Sequence, residues 1–332
     1  MRWLAVLGLI LALGGCAGGE IFTPVGTVSP RMSSDALIMD DGARLPLRAW
    51  LPAGQPRAVI LALHGFNDYS NAFAVPAKLW LQRGIATYAY DQRGFGRAPD
   101  RGRWVGVKRL DTDLAEASRL LRARYPGVPL FVLGESMGGA VAITAVAGSA
   151  GAPRPVCDGI VLAAPAVWGR ITMSVFERAG LWAGNALFPG MELTGRGLNV
   201  TPSDNMPMLR ALSRDALVIK ETRVDTIKGL VDLMDMALAA APHIGKVPML
   251  LLYGQHDEIV PHMPTHLFIT DLTPAQRGES RIALYHHGYH MLLRDLDADI
   301  VIADIAAWIG DHQAALPSGA DRRAGEGFAP KG

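Results

Sequence analysis

Residues 134–138 read Gly134-Glu135-Ser136-Met137-Gly138, and this pentapeptide is the first place in the chain where residue types and spacing could do chemistry. A serine hydroxyl is a weak nucleophile until the backbone holds it out and a base stands within reach. A sharp turn from a strand into a helix does the first job by forcing the central residue into a strained conformation. Gly134 and Gly138 flank Ser136 because side chains there would collide across such a turn. Apolar residues 130–133 precede the turn and small residues 140–147 follow it, as a strand and a helix start would. A helix beginning behind Ser136 directs its N-terminal amides at negative charge forming nearby.

Nucleophilic acyl transfer also needs a base, and a group that orients the base. Asp257 follows an apolar run at residues 249–253, in a loop that reads Gly254-Gln255-His256-Asp257-Glu258. His290 ends the stretch Tyr285-His286-His287-Gly288-Tyr289-His290, which follows the last apolar run. The chain order serine, aspartate, histidine is one in which such triads occur. Gly288 lets the loop turn back, which favours His290 over His286 and His287, and Glu258 competes with Asp257. A metal reading of His256, Asp257, His262 and His266 matches no strong ligand spacing, so no metal is expected. An oxyanion would be held by the backbone N–H of Met137 and by a second N–H from the loop His64-Gly65-Phe66, with Phe66 as the expected donor.

These residues need a frame. Residues 58–64 are a continuous apolar run, as expected of a strand buried on both faces, and 85–90 read as the next strand. Further strands are predicted at 130–133, 160–164, 249–253 and 282–285, and a hairpin over 36–51 turns at Asp40-Asp41-Gly42. Helical spacing marks 75–83, 107–124 and 300–309. Alternating strands and helices predict an α/β fold with a mostly parallel sheet covered on both faces. Residues 35–164 and 245–311 would form this core. Residues 165–244 break the rhythm: they are apolar and helical, show no convincing strand, and are expected to form a cap over the carboxyl ends of the strands. Residues 312–332 lack periodicity and are expected to be disordered.

Lys and Arg total 32 and Asp and Glu 31, with no basic block, which argues against a nucleic-acid partner. The N-terminus has its own character. Arg2 precedes an apolar run over residues 3–13, too short for the ~20 residues that span a bilayer. Leu13-Gly14-Gly15-Cys16 resembles a bacterial lipobox, in which cleavage frees a cysteine that carries lipid. Residues 1–15 then read as a lipoprotein signal peptide and 16–34 as a tether. Ala17, where an Asp would hold a Gram-negative lipoprotein at the inner membrane, points to the periplasmic face of the outer membrane. The other cysteine, Cys157, is expected to be small, buried and without a disulfide.

Taken together, Gly134-Glu135-Ser136-Met137-Gly138-Gly139, His64-Gly65, Asp91-Gln92-Arg93-Gly94-Phe95-Gly96, Gly254 to Asp257, and His290 resemble the α/β-hydrolase superfamily. Within it they are similar to the monoacylglycerol lipase/lysophospholipase group of serine aminopeptidase-type hydrolases, over residues 35–310. The resemblance implies an acyl-enzyme on Ser136, a monoacylglycerol or lysophospholipid ester as substrate, and no cofactor. The same triad would also suit a small- or aryl-ester hydrolase, an aminopeptidase-like hydrolase or an acyltransferase; an anchored lipid-binding protein is the non-enzymatic counterpart. Two positions depart from the pattern. Glu135 stands where many members have His, and Arg97-Ala98 follows the Asp91 motif where Ser is common.

Overall fold

The computed structural model describes residues 26–327 apart from Arg196 and Leu198. Nine strands form one sheet: β1 (Arg31–Met32), β2 (Ala36–Ile38), β3 (Arg44–Trp50), β4 (Ala58–Leu63), β5 (Ile85–Tyr90), β6 (Leu130–Glu135), β7 (Gly159–Ala163), β10 (Met249–Gly254) and β11 (Ser280–Tyr285). Their spatial order is β1-β2-β3-β5-β4-β6-β7-β10-β11, antiparallel from β1 to the β3–β5 pair and parallel from β5 to β11.

Every residue of β4, β5, β6, β7 and β10 is buried, which is why these strands read as largely apolar rather than alternating. Alternation appears instead in which face each residue serves. Val59, Leu61 and Leu63 meet helices α2 (Val107–Arg124), α3 (Met137–Ala147) and α6 (Val224–Ala239). Ile60 and Ala62 meet α1 (Ala74–Leu81) and α9 (Ala298–Gly310) through Trp80, Ile302 and Trp308. Helices thus cover both faces, and the fold is the expected α/β-hydrolase arrangement. Among the described residues no helix is long and apolar enough to cross a membrane.

The cap lies between β7 and β10 and contains α4 (Val175–Leu187), α5 (Met206–Arg214) and α6. It also contains strands, contrary to the sequence reading: β8 (Glu192–Thr194) pairs antiparallel with β9 (Glu221–Arg223). Each is three residues long, too short for a period of two to register, and the partner is remote in sequence. Gly229 joins the cap to the core. A Cβ there would lie 2.3 Å from Cγ of buried Trp104, so only glycine lets α6 approach the indole.

Two further expectations need correction. The end of the tether is not free, because Arg31–Met32 forms the edge strand β1 on β2. The tail expected to be disordered at residues 312–332 is ordered as far as it is described: past α7 (His262–Asp271), α8 (Pro274–Gly278) and α9, it forms α10 (Ala320–Gly327). Leu316, Ala320 and Ala324 recur every four residues and are all buried, and a Gly- and Arg-rich composition hides them. Arg323 Nε donates to the Leu284 carbonyl at 3.2 Å, and Ser318 N donates to Asp304 Oδ1 at 3.0 Å. The tail thereby packs on β11, the last strand of the sheet, where an open edge invites unwanted pairing. Cys16 and the signal residues lie outside the described residues. Cys157 is free and half-buried rather than buried; its thiol is pushed up to about 12 by burial and then by the Asp158 charge.

Candidate active site

The strand β6 ends at Glu135 and α3 starts at Met137, so Ser136 alone makes the turn. It does so at φ 53°, ψ −115°, a conformation costly for any residue with a side chain. Three backbone hydrogen bonds hold it there: Ser136 N donates to Ala163 O at 2.9 Å, and Ser136 O accepts from Ala140 N at 3.1 Å and Ala166 N at 3.0 Å. The flanking glycines are required sterically. A Cβ on Gly134 would lie 2.3 Å from the Gly138 carbonyl oxygen, and one on Gly138 would lie 2.2 Å from that of Leu63. The tight turn therefore presents the Ser136 side chain at its tip.

Met137 is the first helical residue, so its amide has no intrahelical acceptor. The loop after β4 passes directly beside it, with an ideal Gly65 Cβ only 3.4 Å from Ser136 Cβ. His64 fixes this loop from beneath. Its Nδ1–H donates to Gly65 O at 2.8 Å and its Nε2 accepts from Gln92 N at 3.0 Å. That pairing requires the neutral ring, and burial lowers the His64 pKa in the same direction. Phe66 packs edge-on against Phe95, ring centroids 5.5 Å apart. The Asp91 motif proves to be scaffolding for the same loop: Asp91 Oδ1 accepts from Ser70 N at 3.0 Å and Oδ2 from Arg97 N at 2.9 Å.

Asp257 and His290 meet at the carboxyl end of β10. The His290 Nδ1–H donates to Asp257 Oδ2 at 2.9 Å, both side chains being buried. Asp257 Oδ1 accepts from Ile259 N at 2.8 Å and Val260 N at 2.9 Å, so both carboxylate oxygens are engaged. A carboxylate only accepts, so the proton sits on Nδ1 and Nε2 is left as an acceptor. Gly254 makes room for this loop, since a Cβ there would lie 2.4 Å from Tyr289 O.

The alternatives separate cleanly. His286 and His287 are exposed and line a larger cavity of about 870 Å³ on the far side of the loop, away from Ser136. Glu258 accepts from Thr201 N at 2.6 Å. Among the described residues no cluster of His, Cys, Asp or Glu could hold a metal. His262 and His266 stack on each other on α7.

Ser136, His290 and Phe66 open together into a cavity of about 480 Å³, within the range of small-molecule sites. Its walls are mostly apolar and come from the cap, including Trp168, Leu181 and Met234. Four polar residues at the site were not legible in the sequence. Arg294 pairs with Asp68 and with Glu135 at the cavity wall. Asp295 accepts from Tyr289 N at 2.8 Å and from Ser203 Oγ at 2.6 Å, tying the histidine loop to the cap. Burial pushes the Asp295 carboxyl up to about 6, against the Ser203 hydrogen bond. The departure at Glu135 was the available signal, because a buried carboxylate there needs a cation.

The sequence profile of the serine aminopeptidase, S33, family matches residues 54–297. The chain belongs to this family. This S33-family chain is 26% identical over 284 residues to the monoglyceride lipase of Homo sapiens, covering 84% of this chain and 90% of that protein. It is 24% identical over 303 residues to the monoacylglycerol lipase of Mycolicibacterium smegmatis, covering 86% and 99%. In three dimensions it is similar to a soluble variant of monoglyceride lipase from Saccharomyces cerevisiae in complex with a substrate analog, with TM-score 0.69 and 19% identity over 89% of this chain and 98% of that one. The last likeness concerns the fold of the S33-family chain alone.

Proposed function

We propose that the protein is a serine hydrolase that cleaves carboxylic esters of lipids, a monoacylglycerol or lysophospholipid, through an acyl-enzyme on Ser136. The observation that carries this reading is a strained serine at the floor of an apolar, cap-walled cavity that it shares with an aspartate-bound histidine. The names of the full-length relatives support the lipid class.

Ser136 Oγ attacks the ester carbonyl while His290 Nε2 takes its proton. Asp257 stabilises the imidazolium that forms. The amides of Met137 and Phe66 hold the oxyanion of the tetrahedral intermediate. His290 then protonates the leaving alcohol, and the acyl group remains on Ser136. Water repeats the sequence, losing its proton to His290, and the fatty acid leaves. A fluorophosphonate probe tests the nucleophile: the adduct should map to Ser136 in the native protein, and a native protein that stays unlabelled contradicts the reading.

The charge state of His290 sets the pH dependence. Burial alone would lower its pKa, but the Asp257 charge and hydrogen bond, with Glu135 beyond, outweigh burial and raise it above the ordinary histidine value. The base works only when neutral, so activity is lost as pH falls through this raised pKa. The acid limb of kcat/KM should therefore have its midpoint above ~6.5. A midpoint well below that value in a pH–rate profile would contradict the geometry.

The same proposal extends to location. The lipobox-like Leu13-Gly14-Gly15-Cys16 supports an exported lipoprotein anchored through acylated Cys16, at the periplasmic face of an outer membrane. The cap offers a matching surface, for α4 buries none of its residues and leaves Phe176 88% and Trp182 74% exposed. Intact mass of the protein from an exporting bacterial host should show an acylated Cys16, and Cys16→Ser should lack it. Unmodified wild type would remove the anchor and leave the hydrolase reading standing.

A further inference from the structure

Arg294 lines the cavity, four residues past His290, and is 8% exposed. Its Nη1 donates to Asp68 Oδ2 at 2.7 Å and its Nη2 to Glu135 Oε1 at 3.0 Å. Both carboxylates are buried as well. The three residues come from three different segments, the loop after β4, the end of β6 and the histidine loop. Asp68 follows the expected oxyanion donor Phe66 by two residues, Glu135 immediately precedes Ser136, and Arg294 belongs to the loop that carries His290. One planar guanidinium therefore bridges the segments that hold donor, nucleophile and base.

Asp68 Oδ1 is taken by Tyr69 N at 2.8 Å, which turns its other oxygen toward Arg294. Arg294 is seated by its own backbone, its N donating to Met291 O at 2.7 Å and its O accepting from Asn205 Nδ2 at 2.8 Å. Among the described residues neither Asp68 nor Glu135 has another cation in an ion pair. Two anions and one cation leave the cluster with net negative charge close to the base.

Resting on the hydrolase reading above, we infer that Arg294 is a positioning residue for ester cleavage: it fixes the loops of Phe66, Ser136 and His290 relative to one another and offsets the charge of Glu135 beside the nucleophile. The buried Glu135 carboxylate beside the nucleophile is tolerated because Arg294 reaches it. The groups that act on His290 are Asp257 from the β10 loop, Glu135 from the elbow and Arg294 from its own loop; the other charged groups nearby are Asp68 and Glu177 on the cavity wall and Asp295, which holds the neighbouring Tyr289 N. Glu177 is held by the helix cap it makes with Ser174 and is unaffected by the changes proposed. Glu135 raises the His290 pKa and Arg294 lowers it, so the two substitutions have opposite signs.

The test compares wild type, Arg294→Met, Glu135→Gln and the double variant, by pH profiles of kcat and KM and by NMR titration of the His290 imidazole. Arg294→Met should raise the His290 pKa further, because two carboxylates lose their cation. It should also lower kcat at neutral pH by about 100-fold with little change in KM, as misplaced catalytic loops do. Glu135→Gln should move the titration to lower pH. Adding Glu135→Gln to Arg294→Met should bring the titration back and recover about tenfold in kcat, a coupling that a simple loss of stability does not produce. Where Arg294→Met does not fold, Arg294→Lys serves, since a point charge cannot bridge both carboxylates as the fork does. It should keep the titration and lose kcat. Unchanged His290 titration in Glu135→Gln, with kcat of the arginine variant within about twofold of wild type, overturns the inference. The NMR titration needs no substrate, so a wild type inactive on every ester would fail the hydrolase reading separately while the pKa shifts still decide the charge relation.

Discussion

Replacing Ser136 by alanine should reduce ester turnover by about a million-fold, the scale seen when a triad nucleophile is removed. The size follows from the roles. Without Oγ there is no acyl-enzyme, and the amides of Met137 and Phe66 can only polarise a carbonyl that water must attack unaided. Folding should survive, because the Ser136 backbone is held by main-chain hydrogen bonds that alanine retains. The positive φ costs alanine about as much as serine. Initial rates on a monoacylglycerol, with circular dichroism as the folding control, check this. Residual activity within about a hundredfold of wild type would mean that another residue is the nucleophile.

Asp257→Asn should cost about 10⁴-fold in kcat at neutral pH, although the side chain keeps its shape. The neighbours dictate how the amide must sit. Ile259 N and Val260 N both donate to Oδ1, so the carbonyl oxygen of asparagine must remain there. The NH₂ then faces His290 Nδ1, where a carboxylate oxygen had accepted at 2.9 Å. Two donors cannot face each other, so the imidazole proton moves to Nε2. A ring protonated at Nε2 cannot take the serine proton, and the imidazolium loses its counter-charge. Steady-state kcat at saturating substrate reads the effect, and a loss of less than about tenfold would mean that Asp257 does not orient the base.

How much of this was readable beforehand depends on distance along the chain. The turn at Ser136 was legible because its requirements are local: two glycines, a strand before and a helix after. Asp257 and His290 were legible because each follows an apolar run, and parallel strands deliver their carboxyl ends to one edge. Their mutual contact spans 33 residues, and it was reached through chain order rather than pattern. The cluster of Asp68, Glu135 and Arg294 was not legible. Its contacts span 226 and 159 residues, and nothing near Arg294 in sequence marks it as anything but a surface cation.

The misreadings have the same cause. Strands β8 and β9 are stabilised by each other across the cap rather than by their own composition. The tail reads as disordered in sequence because its three apolar anchors are diluted by Gly, Arg and Asp, and through residue 327 its ordering comes from the edge of β11. The cap surface is the opposite case. Its apolar content was evident, but sequence could not say that Phe176 and Trp182 face outward while Trp168 and Leu181 line the cavity.

The central claim is that Ser136 hydrolyses lipid esters within the apolar cavity under the cap. The most direct test is kcat/KM on monoacylglycerols of increasing acyl length, beside an aryl acetate and an aminoacyl amide, using protein without residues 1–16. The account predicts values that rise with chain length into the medium or long range and vanish in Ser136→Ala. Equal or greater efficiency on the acetate or the amide would contradict it, placing the same triad in a small-ester or aminopeptidase-like hydrolase.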